Sequence, residues 1–228
     1  MKLVVPTEIY EGESRVSITP DCVPSLIKMG FKVYIQKDAG LQSSYTDEDY
    51  KKSGAKISSK LSELYNKADI IVKIQRPTIQ KKINESNFLK NCNILTLLYE
   101  TKFKNEFFTL KKLNINLFAL EKMPRISRAQ SMDVLSSQSN LSGYKAVIDA
   151  ASEFNKAFPL MMTSAGTVAP AKVLIIGAGV AGLQAIATAK RLGAVVFAFD
   201  VRSSTKEQVE SLGAKFVEVV GEDSGETA

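Results

Sequence analysis

Three glycines, an aspartate and an arginine carry the most specific chemistry in the sequence. Lys172-Val173-Leu174-Ile175-Ile176 reads as a buried strand and runs straight into Gly177-Ala178-Gly179-Val180-Ala181-Gly182, after which Leu183 to Ala189 reads as a helix. Gly-x-Gly-x-x-Gly between a strand and a helix suits a dinucleotide. Gly177 allows the tight turn, Gly179 lets the backbone approach a pyrophosphate, and Gly182 permits close helix packing, while the helix N-terminus offers amide hydrogens and a positive dipole end. The next strand, Val195 to Phe199, delivers Asp200 eighteen residues after Gly182. A carboxylate there accepts hydrogen bonds from an adenosine ribose and repels a 2′-phosphate, so NAD(H) is the ligand this pattern favours. Arg202 has two readings: a partner for the extra phosphate of NADP, or a plain surface arginine.

A second candidate cluster lies in Met123-Pro124-Arg125-Ile126-Ser127-Arg128-Ala129-Gln130-Ser131-Met132-Asp133, a polar segment that cannot bury a regular face. Within nine residues Arg125, Gln130 and Asp133 supply a cation, an amide and a carboxylate, a set suited to orienting a carboxamide ring. The same residues would also serve to cap a helix and tie up a surface network, and composition does not choose between the two.

The elements that must position these groups alternate along the chain. Lys2 to Val5, Lys32 to Gln36, Ile70 to Ile74, Asn93 to Leu98 and Ile115 to Leu120 read as strands, with helices over Pro20 to Met29, Leu61 to Lys67 and Phe103 to Leu113. From Ser137 to Phe158, apolar Leu141, Tyr144, Val147, Ile148, Ala151 and Phe154 recur at steps of three and four and predict one long amphipathic helix. After Gly166 to Pro170 a second series follows: strands Val173 to Ile176, Val195 to Phe199 and Lys215 to Val220, with helices Ala181 to Leu192 and Thr205 to Leu212. The expected fold is α/β, two doubly wound Rossmann-like parallel-sheet domains joined by the long helix, with domains at 1–136 and 166–228 and the linker at 137–165. Only one mononucleotide half follows Pro170, so the second domain is expected to be incomplete and the chain truncated.

Composition narrows the remaining classes. The 228 residues, 45% hydrophobic and 24% charged, belong to a globular protein with room for two domains. The net charge of +6 is spread over mixed-sign helices, which argues against a nucleic-acid footprint. Cys22 and Cys92 are unpaired in spacing, so neither a disulfide framework nor a metal site is expected, and a reducing compartment is. No 18-residue apolar run occurs, so no direct membrane insertion is expected. The chain contains no histidine, the side chain best suited to proton transfer near neutrality, and no catalytic residue is assigned.

The segment from Met123 to Asp133, continuing to Gly143-Tyr144, together with Gly177 to Gly182, closely resembles the NAD(H)-binding part of the proton-translocating NAD(P) transhydrogenase alpha subunit. The opening, Pro6-x-Glu8 with Glu13-Ser14-Arg15-Val16 and Thr19-Pro20, is similar to the shared start of that family and of alanine dehydrogenase. The resemblance implies that Arg125, Gln130 and Asp133 meet the nicotinamide side of NAD(H), with Ser136 a further candidate of the loop and Ile126 and Ser127 among its cofactor-binding residues. It places Ala178, Gly179 and Val180 at the pyrophosphate, beside Gly177 and Gly182, and Asp200, Val201 and Arg202 at the adenosine end. It further implies hydride transfer from NADH to NADP(H) held on a separate component, coupled to proton translocation by membrane subunits. The implied partners are the rest of the alpha subunit, the membrane and NADP-binding subunits, and a second copy in a homodimer; the implied location is the cytoplasmic face of a bacterial inner membrane. The alternatives are an alanine dehydrogenase-like oxidoreductase and a non-catalytic NAD-binding remnant. Arg15 and Lys73 resemble the residues that hold a substrate carboxylate in alanine dehydrogenase, or are retained for structure, while Tyr99 stands where those enzymes carry a histidine.

Overall fold

In the computed structural model, residues 1–79 and 84–218 are described. The chain divides into two units, Met1–Met132 and Asp133–Ala228. In the first, β1 (Lys2–Val5) leads through a 3₁₀ turn at Pro20–Cys22 to α1 (Val23–Lys28), followed by β2 (Lys32–Gln36), α2 (Asp47–Lys52), β3 (Lys56–Ser58) and α3 (Leu61–Tyr65). Next come β4 (Ile70–Gln75), β5 (Asn93–Leu97), α4 (Lys104–Lys111) and β6 (Asn116–Ala119). The six strands are parallel in the order β3-β2-β1-β4-β5-β6.

Alternate residues of β1 feed opposite faces of this sheet. Val4 packs with Leu64, Ile71, Ile94 and Leu110, whereas Leu3 and Val5 pack with Val23, Val33, Ile35 and Tyr50. Burial of both faces is why the strands read as near-continuous Val/Ile/Leu runs. The strand order reverses between β1 and β4, which makes that point the unit's topological switch point.

Two elements of this unit escape the apolar pattern. Helix α2, Asp-Glu-Asp-Tyr-Lys-Lys, has a single apolar anchor, fully buried Tyr50, whose hydroxyl donates to the Ile18 carbonyl at 2.8 Å. Its start is held by a capping box in which Thr46 Oγ1 accepts from Asp49 N–H and Asp49 Oδ2 accepts from Thr46 N–H. Strand β3 is a three-residue edge, too short to show a period.

The second unit opens with α5 (Val134–Glu153), then the antiparallel pair β7 (Met161–Thr163) and β8 (Gly166–Val168). It continues with β9 (Lys172–Ile176), α6 (Val180–Arg191), β10 (Val195–Phe199), α7 (Lys206–Ser211) and β11 (Lys215–Phe216). β11, β10 and β9 form a parallel sheet in that order, and among the described residues β9 is paired on one side only. The last expected strand, Lys215 to Val220, is seen over its first two residues, and its end lies outside the described residues.

The long helix differs from expectation in position and in face. It starts at Val134 because the Asp133 side chain caps it, and it stops at Glu153 rather than Phe158. It packs on α6 within this unit. Its buried positions are Gly143 and Val147, while Leu141, Tyr144 and Phe154 are exposed. The reason is backbone approach: a Cβ on Gly143 would lie 2.0 Å from the Ala181 carbonyl oxygen. The core beneath is alanine-rich, with Ala171, Ala185, Ala189, Ala194 and Ala198 around Ile186 and Val196, which lets α6 sit close on β9 and β10.

Candidate functional site

The turn from β9 to α6 shows three glycines kept for three different reasons. Gly177 has φ +95°, the left-handed region that side chains avoid. Gly182 has no room, because an added Cβ would meet the Gly177 carbonyl oxygen at 1.8 Å. Gly179 has neither constraint. Its φ of −78° and ψ of −170° are open to any residue, and beyond its two chain neighbours nothing lies within 4 Å of its would-be Cβ. Nothing in the chain's own packing demands glycine there. The demand fits a group from outside that must come against the backbone, at the point where α6 presents the orphan N–H groups of its first turn.

Asp200, at the end of β10, ties this turn down. Its Oδ2 accepts the Ala178 N–H at 2.6 Å and Arg202 Nη2 at 3.1 Å; its Oδ1 accepts the Arg202 N–H at 2.9 Å and Arg202 Nε at 3.0 Å. The aspartate is buried, and the arginine side chain is 58% exposed. The Arg202 side-chain hydrogen bonds, more than its charge alone, hold the Asp200 carboxyl well below the usual aspartate range, against the opposing effect of burial. Gly177 to Gly182, Asp200 and Arg202 are thus brought together in one unit. Arg202 is neither a plain surface residue nor an unengaged phosphate partner, since it forks onto Asp200. The Ala178 N–H, turned to Asp200, makes Ala178 a residue that shapes the loop, and Val201 and Val180 stand exposed beside it.

Asp133 and Ser136 open the same unit. Asp133 Oδ1 accepts the Ser136 N–H at 3.0 Å and Oδ2 accepts the Ser136 hydroxyl at 2.6 Å, so the capping role left open by composition is present. Arg125, Ile126, Ser127 and Gln130 stand at the end of the first unit on a segment that turns through a 3₁₀ stretch at Ser127–Met132 around buried Ala129; Gln130, like the other three, is exposed.

The first unit carries an ionic cluster at its switch point. Lys73 of β4, only 2% exposed, lies 3.0 Å from Glu85 Oε1 and 3.6 Å from Glu8 Oε2. Tyr65 donates to Glu85 at 2.9 Å, and Glu8 accepts the Ile74 and Gln75 N–H groups at 2.6 and 3.3 Å, where the β4–β5 register shifts. Burial pushes the Glu8 carboxyl up, opposed by Lys73. Arg15 forks onto Glu13, whose carboxyl it holds down at about 2, and Gln75 adds a hydrogen bond to the same Glu13. The acidic partners of Lys73 and Arg15 are thus supplied by the chain itself; Glu13 is Arg15's near neighbour in sequence, whereas no sequence spacing reveals the pairing of Lys73 with Glu8 and Glu85. Tyr99, just after β5, holds a left-handed φ of +48° and donates its N–H to Glu121 at 2.7 Å.

Comparison with known proteins also divides the chain in two, with the boundary inside α5. Residues 4–142 match the family described as alanine dehydrogenase/PNT, N-terminal domain, and residues 146–228 match alanine dehydrogenase/PNT, C-terminal domain. The chain belongs to the alanine dehydrogenase/PNT family. Among members of the family, it is 52% identical over 221 residues to the first of the polypeptides that make up NAD(P) transhydrogenase subunit alpha in Rhodospirillum rubrum, covering 96% of this chain and 58% of that protein. It is 50% identical over 218 residues to the same-named polypeptide of Rickettsia prowazekii, covering 95% of this chain and 57% of that protein. The solved transhydrogenase of Sinorhizobium meliloti superposes with a TM-score of 0.91 at 45% identity, covering 96% of this chain and 62% of that one. The chain therefore spans under two thirds of the length of these alanine dehydrogenase/PNT family members. Among the described residues no helix is long and apolar enough to cross a membrane, and no group of three acidic or cysteine side chains is placed to hold a metal ion.

Proposed function

We propose that this chain is the NAD(H)-binding portion of a transhydrogenase alpha subunit, working on hydride transfer between NADH and an NADP held by another component. The observation that carries the reading is Gly179, a glycine that neither backbone conformation nor packing requires. The identity with transhydrogenase alpha subunits supports it over the alanine dehydrogenase-like alternative.

Bound nicotinamide would supply the redox chemistry, hydride transfer between two rings, which asks no proton of the protein. The chain's own residues bind and orient. The amides at Gly179 and Val180 and the positive end of α6 would face the pyrophosphate, Asp200 would accept from the adenosine ribose, and Arg125, Gln130 and Asp133 would hold the carboxamide side. A chain without histidine suits this division, because ring-to-ring transfer asks for alignment and no general acid. The reading extends to partners: the rest of the alpha subunit, membrane and NADP-binding subunits that couple transfer to proton movement, a homodimer of the complete component, and a place on the cytoplasmic face of a bacterial inner membrane.

Titration calorimetry of the full chain with NADH tests the reading. Saturable one-site binding, lost in Asp200→Ala, is expected. Absence of NADH binding by the unsubstituted chain contradicts it.

A further inference from the structure

Asp200 has no acceptor capacity to spare. An ionised carboxylate offers about four lone-pair directions. Four donors meet them: the backbone N–H of Ala178, the backbone N–H of Arg202, and the Nε and Nη2 of the Arg202 guanidinium. The two backbone donors are fixed by the glycine turn and by the chain just after β10. The other two belong to one side chain that is more than half exposed and is free to swing into water. They fall one on each carboxylate oxygen, the arrangement that the two adjacent hydroxyls of a ribose would also use.

We propose that Arg202 is a displaceable latch: its guanidinium and the adenosine 2′,3′-diol are mutually exclusive donors on Asp200, so nucleotide binding exchanges one forked donor for the other. The proposal rests on the nucleotide reading of this turn and adds to it a positioning and selectivity residue. The latch keeps Asp200 charged, aimed and screened, and its release gives the diol an acceptor already held in place by Ala178. It also sets how strongly the site rejects a 2′-phosphate. With Arg202 present the carboxylate is partly neutralised; without it the full negative charge faces the ribose.

The test compares ADP with 2′,3′-dideoxy-ADP on the full chain and on Arg202→Ala, with Arg202→Gln as a second variant and urea unfolding to check that each is folded. Removing the competitor should tighten ADP by about two- to fivefold, the range an exposed ion pair is worth, and leave dideoxy-ADP unchanged. The preference for NADH over NADPH should widen in the same variants. Equal weakening of ADP and dideoxy-ADP would make Arg202 an ordinary ligand contact, and no change in either would mean that no exchange occurs; each result overturns the latch while leaving the nucleotide site standing. Failure of the unsubstituted chain to bind either ADP or NADH would remove both readings.

Discussion

Alanine at position 179 should separate binding from folding. The added methyl enters open space on a backbone that tolerates any residue. Loss of glycine at a helix N-cap and the lower entropy of the unfolded chain act in opposite directions with similar size, so the net stability change should stay within about 1 kcal/mol. On the proposed reading, the same methyl stands where a pyrophosphate would touch the backbone. Loss of one charge-assisted hydrogen bond, about 1.5–3 kcal/mol, corresponds to NADH binding weakened by about 10- to 150-fold. Gly182→Ala inverts the pattern, because its Cβ would meet the Gly177 oxygen at 1.8 Å and carbonyl carbon at 2.8 Å. Backbone cannot yield as a side-chain tip can, and a stability loss at or above the usual overpacking range of about 1–3 kcal/mol is expected. Calorimetry with NADH and urea unfolding, run on both variants, give the two readouts. A Gly179→Ala chain that binds NADH as tightly as the parent would refute the reasoning, and a large loss of stability in it would refute the geometry beneath.

Three further outcomes follow from the packing and electrostatics. Lys73→Met leaves the buried Glu8 and Glu85 carboxylates without their cation and should cost about 3–5 kcal/mol in urea unfolding; an unchanged midpoint would mean the cluster is already neutral. Glu13, held down at about 2 by Arg15, contributes stability that is complete above the ordinary glutamate value of 4.5 and is lost as pH falls toward 2. Unfolding midpoints measured from about pH 6 down to about pH 2 should show that loss, and Arg15→Gln should flatten it. Asp133→Ala removes the cap of α5, at a cost of about 0.5–2 kcal/mol, and Asp133→Ser restores most of it. NADH affinity that falls in both variants marks a nicotinamide contact, whereas a fall in stability alone marks a cap.

Much of the fold is legible because buried parallel strands must be apolar: β1, β2, β4, β5 and β10 all stand where their Val/Ile/Leu runs lie. β9 also stands where its run lies, but it is not the buried strand expected, since Leu174 and Ile176 are exposed. What periodicity hides is structure held by polar or absent side chains. Helix α2 depends on a capping box and one tyrosine, and the buried face of α5 is set by Gly143, which counts for nothing in a hydrophobic pattern yet determines how near Ala181 can come. The glycine turn and Asp200 are readable as a site because each residue type is fixed by a distinct physical need. Their connection is not: the Ala178–Asp200 hydrogen bond spans 22 positions, and the Asp200–Arg202 fork joins neighbours whose spacing looks like any strand end. The carboxylates around Lys73 come from two distant loops, at Glu8 and Glu85, and no local pattern pairs them.

A crystal structure of the full chain grown with NADH measures the decisive geometry. The pyrophosphate should lie within about 2.7–3.2 Å of the Gly179 and Val180 amide nitrogens, with the adenosine diol on Asp200 and the Arg202 guanidinium moved aside. Nucleotide seated away from the turn between β9 and α6, with protein atoms packed over Gly179, would contradict it.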